Sequence, residues 1–101
     1  METYILHLET ATKACSVALF KNGTLLSLKE SEEDGFSHGE NLNIFIQHVL
    51  EEMEIKINDL DAVSLVSGPG SFTGLRIGAA TAKSLCYALN IPLIAIDSLT
   101  S

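Results

Sequence analysis

The sequence predicts one α/β domain over residues 1–101, built on a mixed five-stranded sheet with two main helices. Two strand-like segments flank Asn22-Gly23, and Asn-Gly is a strong hairpin signal because both residues tolerate positive φ. Two later apolar segments each follow a helical pattern, and helical crossovers join parallel strands. We therefore expect three antiparallel strands, followed by strands that run parallel to the first.

The first three strands are predicted from apolar and β-branched residues. They cover Tyr4–Glu9, Cys15–Phe20 and Thr24–Lys29. The turn after the first strand, Glu9-Thr10-Ala11-Thr12, carries an acid and two hydroxyls but no glycine.

The first helix is predicted at roughly His38–Glu54, because Ser37-x-x-Glu40 has the form of a capping box. Its apolar stripe recurs at helical spacing and consists of Leu42, Phe45, Ile46, Val49, Leu50 and Met53. Ile44 and His48 fall on the opposite side. Ile44 is either an ordinary exposed residue or part of an interface.

The second helix, Ser71–Leu89, follows a buried-type strand at 62–66 and a glycine-proline turn. We call that turn the signature turn; it comprises Gly68, Pro69, Gly70 and Ser71. The phosphate-binding P-loop and dinucleotide templates both fail here, since Leu75 and Arg76 follow Gly74 and Thr73 stands where a glycine is needed. A tight strand-to-helix turn and an anion site remain the two interpretations. A last strand is predicted at Pro92–Ile96.

Small residues recur along the second helix at Gly74, Gly78 and Ala82. Glycine inside a helix costs about 1 kcal/mol against alanine, so a closely packed neighbour should offset it. That neighbour is either the protein's own sheet or first helix, or a second chain. The polar arc of the helix has Ala80 at its middle and contains Thr73, Arg76, Lys83, Ser84 and Tyr87.

Composition limits the function classes. The chain has a net charge of −7 and no basic cluster, so tight nucleic-acid binding by this domain is not expected. We expect no membrane span, because no apolar segment approaches 20 residues, and we see no signal peptide before the first strand. Cys15 and Cys86 lack metal-ligand spacing, and free thiols in a reducing cytoplasm are expected.

This order of elements is the ribonuclease-H-like layout that actin-like ATPases also use, and fold alone does not settle function. A two-metal nuclease needs clustered carboxylates, and only Glu9 and Glu40 are candidates. No nucleophilic triad, metal site or cofactor site is predicted. A nucleotide-binding half of an actin-like ATPase or phosphotransferase is the alternative function.

Three segments, LETATKACSVALF, SHGENL and above all SGPGSFTGLRIGAATAKSL, resemble the N-terminal half of the TsaB (YeaZ) family. The resemblance implies an actin-like domain in a cytoplasmic, non-catalytic subunit that needs no cofactor of its own. TsaB-like proteins pair with TsaD, which holds the metal and transfers the threonylcarbamoyl group to a tRNA adenosine next to the anticodon. They also work with the ATPase TsaE, and form homodimers when TsaD is absent.

The resemblance also implies that the two helices form the partner interface. Carried onto this sequence, the interface residues are Ile44, His48, Thr73, Gly74, Arg76, Ile77, Gly78, Ala80 and Ser84. The sequence departs from the family pattern at Glu9, Ile44 and Ser67, where Asp, Pro and a basic residue are common.

Overall fold

The structure is a computed structural model that describes residues 2–9, 15–31, 38–67 and 72–97, with side chains in 2–9, 16–30, 42–66 and 78–96. Its elements in chain order are β1 (Tyr4–Glu9), β2 (Cys15–Lys21), β3 (Thr24–Ser31), α1 (His38–Glu52), a 3-10 turn (Ile57–Asp59), β4 (Ala62–Ser67), α2 (Phe72–Leu89) and β5 (Leu93–Asp97).

The five strands form one mixed sheet in the order β3-β2-β1-β4-β5. β1 pairs antiparallel with β2, and β2 pairs antiparallel with β3. β4 lies parallel to β1, and β5 lies parallel to β4. The turn between β2 and β3 has positive φ at Asn22 (52°) and Gly23 (85°), as the hairpin prediction requires. The predicted sheet is therefore confirmed.

Both helices cover the same face of the sheet, with α1 over β2 and β3 and α2 mainly over β4. The core lies between these layers. Its fully buried side chains are Leu6, Leu8, Val17, Leu19, Leu42, Val49 and Val63. The apolar stripe predicted on α1 is the one that packs here, since its members are buried or partly buried against the core.

α1 ends at Glu52, two residues earlier than the sequence pattern predicts. Glu54 adopts a left-handed conformation with φ 55°, and the Ile55 amide donates a hydrogen bond of 2.9 Å to the Leu50 carbonyl. This hydrogen bond closes the helix end and turns the chain toward β4. β5 begins at Leu93, so it is shifted by one residue from the prediction.

Cys86 is a free, buried cysteine in α2, as predicted. Its Sγ donates a hydrogen bond of 3.4 Å to the Pro92 carbonyl, and burial raises the pKa of the thiol. The side chain of Cys15 lies outside the described residues.

The other face of the sheet carries no helix within the described ranges. We call it the open face and define it by the side chains that point away from α1 and α2. Strand register assigns it Ile5, His7, Glu9, Ser16, Ala18, Phe20, Leu25, Leu28, Glu30, Ala62, Ser64, Val66, Ile94 and Ile96.

Candidate interaction surface on the two helices

The outward side of α1 presents Ile44, Gln47, His48 and Glu51, at spacings of three and four residues. All four side chains are exposed because the opposite stripe of the helix packs on the sheet. Ile44 is a large apolar residue with 45% of its surface exposed. The structure thus places two predicted interface residues, Ile44 and His48, on one solvent-facing side.

The outward side of α2 repeats this spacing with Ala80, Lys83, Ser84 and Tyr87. Ala80 and Ser84, both predicted interface residues, are exposed, and so is Lys83. Tyr87 is 91% exposed, which is high for a side chain that usually buries much of its ring. It lies on the predicted polar arc but was absent from the predicted interface. The position of Tyr87 beside Ala80 and Ser84 on that arc is the sequence signal that could have added it to the predicted interface.

A groove of about 350 Å³ lies where α1 meets α2 and the 3-10 turn. Its apolar lining comes from Ile46 and Leu50 of α1, Leu85 of α2, and Ile55 and Ile57 of the connection. Its polar lining is the outward side of α1, at Asn43, Gln47 and Glu51. The groove therefore has an apolar floor and a hydrogen-bonding rim, as protein interfaces have.

Gly78 differs in burial from the predicted interface residues Ile44, His48, Ala80 and Ser84. It is buried within the chain itself, and Ala82, one turn later, is fully buried in the core. The small residues here let α2 approach its own sheet and α1 closely. The burial of Gly78 and Ala82 favours packing within the monomer for this part of the small-residue series, and the place of Gly78 in a partner interface stays a prediction.

The remaining predicted interface residues lie in the first turns of α2. The backbone of Thr73, Gly74, Arg76 and Ile77 is helical, but their side chains lie outside the described residues. The signature turn, Gly68 to Ser71, also lies outside them, as do Thr10 to Thr12 after β1.

On the open face, the fold brings together a histidine, a serine and a glutamate that the sequence analysis did not connect. His7 Nδ1 lies at hydrogen-bond distance, 2.7 Å, from Ser64 Oγ, and His7 Nε2 lies 3.9 Å from Glu9 Oε1. Burial lowers the pKa of His7, although Glu9 acts to raise it. Only the pairing of β1 with β4 places His7 opposite Ser64, and sequence alone does not give that register.

This cluster lacks two features of a hydrolytic triad. The distance from His7 Nε2 to Glu9 Oε1 is too long for a hydrogen bond, so Glu9 does not orient the imidazole. Ser64 lies in a strand paired on both sides, where backbone amides are committed to the ladder and cannot form an oxyanion hole. His7 and Ser64 therefore form a polar pair between the apolar side chains Ile5 and Ile94.

Within the described residues, no group of three or more His, Cys, Asp or Glu side chains is arranged to hold a metal ion. Neither α1 nor α2, over the residues that the structure describes, is long and apolar enough to cross a membrane.

Comparison with known proteins gives the family. A family model described as TsaD, tRNA N6-adenosine threonylcarbamoyltransferase, matches residues 32–101. The tRNA threonylcarbamoyladenosine biosynthesis protein TsaB of Haemophilus influenzae is 36% identical over 96% of this chain and 40% of its own length. A tRNA N6-adenosine threonylcarbamoyltransferase of Clostridioides difficile is 40% identical, but over only 59% of this chain and 18% of its own length. The likeness to TsaB thus extends further along the chain, which spans less than half the length of these relatives.

Solved structures agree. YeaZ from Pseudomonas aeruginosa superposes with a TM-score of 0.87 and 33% identity, covering 94% of this chain and 44% of that one. RuvC from Thermus thermophilus (TM-score 0.59, 8% identity, 94% and 64% covered) shares the fold alone. So does a Bacteroides thetaiotaomicron protein with an actin-like ATPase fold (TM-score 0.51, 15% identity, 91% and 32% covered). The predicted ribonuclease-H-like, actin-like fold is confirmed, and the chain belongs to the TsaB (YeaZ) group of the tRNA threonylcarbamoyladenosine biosynthesis family.

Proposed function

We propose that this chain is a non-catalytic subunit that docks a TsaD-type threonylcarbamoyltransferase through the outward sides of α1 and α2. Its task would be to support threonylcarbamoyl modification of the tRNA adenosine next to the anticodon. The observation that carries the proposal is the exposure of Tyr87 and Ile44 on these two sides of the helices. Exposed aromatic and large aliphatic residues are typical anchors of an interface.

The likeness of this chain to TsaD itself supports the choice of partner. Residues 32–101, which include both helices, match the TsaD family model. A TsaD-type protein would therefore present equivalent helices, and two similar surfaces can pair about a pseudo-twofold axis, as isologous interfaces do. A second copy of this chain is the corresponding partner when TsaD is absent.

The non-catalytic role belongs to the proposal because the resemblance to TsaB assigns the transfer step to TsaD. TsaD would supply the metal and the transfer step, and TsaE would join as the ATPase of the system. Since the substrate of that system is a tRNA, we expect the protein to work in the cytoplasm.

Co-elution with TsaD in size exclusion, followed by titration calorimetry, tests the docking proposal. Ile44→Asp and Tyr87→Ala should each weaken binding by at least tenfold, because they remove central apolar anchors. Thr24→Asp, at an exposed hairpin position away from the helices, is the matched control and should bind normally. Normal binding by a folded double variant would contradict the proposed interface. Failure of both folded parent proteins to associate would contradict the docking itself.

A further inference from the structure

We propose that Asn22, in the turn between β2 and β3, is a site of spontaneous deamidation whose rate is set by the opening of the folded hairpin. The products carry aspartate or isoaspartate at position 22. The inference concerns the hairpin alone, so it does not depend on the docking of TsaD.

The reaction needs an asparagine whose side-chain amide can be reached by the backbone nitrogen of the next residue. Asn-Gly occurs once in the chain, at Asn22-Gly23. The Gly23 nitrogen, after losing its proton to hydroxide, attacks Asn22 Cγ and forms a new N–C bond. The Cγ–Nδ2 bond breaks, and Nδ2 leaves as ammonia. Water then opens the resulting succinimide ring at one of its two carbonyl groups, so that a carboxylate replaces the amide.

The Gly23 nitrogen is accessible for this attack. Asn22 and Gly23 are both exposed. A Cβ built on Gly23 would meet no atom within 4 Å, so no neighbouring group crowds this side of the turn. The Gly23 amide also donates no hydrogen bond to the residues that the structure describes. Neither packing nor hydrogen bonding therefore protects the reacting nitrogen.

Asn90 provides a comparison within the same molecule. It is exposed and left-handed as well, with φ 57° against 52° at Asn22. The next residue is Ile91, whose β-branched side chain crowds its own backbone nitrogen. The Ile91 amide also donates a hydrogen bond of 3.0 Å to the Cys86 carbonyl. The two asparagines thus share their conformation and exposure but differ in the attacking nitrogen, and Asn90 should stay intact.

The folded turn slows the reaction at Asn22. Its φ values are those of a type I′ turn, for which ψ at the first central residue is about 30°. The planar five-membered succinimide ring cannot form at this ψ, so the turn must first open. The Thr3 amide also donates a hydrogen bond of 2.8 Å to Asn22 Oδ1, and the Thr3 carbonyl accepts one of 2.8 Å from the Asn22 amide. Deamidation therefore requires local opening of the hairpin and of its contact with Thr3.

The isoaspartate product cannot rebuild the same turn. Its chain continues through the former side-chain carboxyl group, so the backbone between β2 and β3 gains one carbon atom. The length of a hairpin loop fixes the register of its strands, and the longer loop disturbs the pairing of Lys21 with Thr24. The modification therefore marks molecules in which the hairpin has opened.

The experiment incubates the folded chain and the urea-unfolded chain at mildly alkaline pH. Trypsin then releases residues 22–29, which carry Asn22, and residues 84–101, which carry Asn90. Mass spectrometry measures the deamidated fraction of each peptide. Asn22 should deamidate in both samples, but about tenfold or more slowly in the folded chain, because the hairpin must open first. Asn90 should remain unmodified over the same time.

Thr3→Pro removes the amide that donates to Asn22 Oδ1. It should speed deamidation of the folded chain about fivefold, the factor that one net hydrogen bond contributes. Thr3→Ala is the matched control, since it keeps that amide and alters only an exposed side chain, so its rate should be unchanged. If Thr3→Pro does not fold, hydrogen exchange of the Asn22 amide in the unmodified chain replaces it, and its protection factor should equal the slowing of deamidation.

Deamidation of Asn22 that does not exceed that of Asn90 would overturn the modification site. Equal rates in the folded and unfolded chains would overturn the control of the reaction by the hairpin. So would a Thr3→Ala variant that reacts as fast as Thr3→Pro, or a protection factor that differs from the slowing of deamidation.

Discussion

Ser27 Oγ, in β3, donates a hydrogen bond of 2.6 Å to Glu52 Oε1, in the last turn of α1. Lys29 Nζ, two residues along the same strand, donates to the other carboxylate oxygen of Glu52 at 3.1 Å. Ser27 is buried, so the carboxylate satisfies a polar group that the helix shields from water. The Glu52 side chain therefore links the last turn of α1 to β3.

Replacement of Glu52 by alanine should lower the Tm, since it leaves the Ser27 hydroxyl without its partner. The hydrogen bond from Ser27, and then Lys29, lower the pKa of Glu52 below 4.5. A carboxyl group with a lowered pKa stabilises the folded state above about pH 4.5, and this contribution is lost as the pH falls further. Thermal melts of Glu52→Ala and of the control Glu51→Ala, at pH 7 and pH 3.5, check this. An equal deficit at both pH values would contradict the role of the charge.

The hairpin turn gives a second prediction. Gly23 has φ 85°, and a Cβ built there meets no atom within 4 Å, so only the backbone conformation restricts the residue. Gly23→Val should cost about 1–2 kcal/mol in the free energy of unfolding, because β-branched residues disfavour positive φ. Gly23→Asn should cost less, since asparagine tolerates this region. Urea unfolding of both variants measures the difference, and equal losses would show that space, not conformation, limits the position.

The sequence was sufficient to predict this hairpin and the buried stripe of α1, because both are local patterns. Asn22-Gly23 specifies the turn by its own φ angles, and the spacing from Leu42 to Met53 specifies the packed side of the helix. Ile44 and His48 could be assigned to the exposed side for the same reason.

Features that depend on distant pairing could not be predicted. The contact of His7 with Ser64 needs the register between β1 and β4, which no local pattern reveals. Gly78 was ambiguous because a series of small residues predicts a close neighbour for α2 without specifying whether that neighbour is the same chain or another one. The early end of α1 could not be predicted, because the left-handed residue there is Glu54 and not the glycine or asparagine that usually marks a helix end.

Leu42 and Ile44 lie on opposite sides of α1, one buried and the other exposed. Leu42 is fully buried in the core and Ile44 is 45% exposed. Leu42→Ala should cost about 2–5 kcal/mol in the free energy of unfolding, through lost burial and the cavity it leaves. Ile44→Ala should change it by less than about 0.5 kcal/mol. Urea denaturation of the two variants tests the assignment of the helix faces, and a larger loss for Ile44→Ala would reverse it.

His7 gives a pH dependence. Burial lowers its pKa below 6.5, so the unfolded chain binds a proton more readily than the folded chain in this range. The contribution of His7 to stability is therefore full above pH 6.5 and declines as the pH falls toward the folded pKa. His7→Asn should reduce the fall in Tm between pH 7.5 and 5.5, whereas Ser64→Ala should keep it, because burial is the main cause. An unchanged slope in His7→Asn would show that other groups produce the pH dependence.

Gly78 and Ala80 distinguish the inner and outer sides of α2. Gly78 is buried against its own chain and Ala80 is exposed, two residues further along the helix. Gly78→Leu should destabilise or unfold the monomer, because a leucine side chain would have to displace packed atoms. Ala80→Leu should leave the Tm within a few degrees and weaken association with TsaD, since it alters only the outer side. Melting curves and TsaD-binding assays on both variants test whether Gly78 lies on the inner side and Ala80 on the outer side of α2. A folded Gly78→Leu variant that only loses association would return Gly78 to the partner interface.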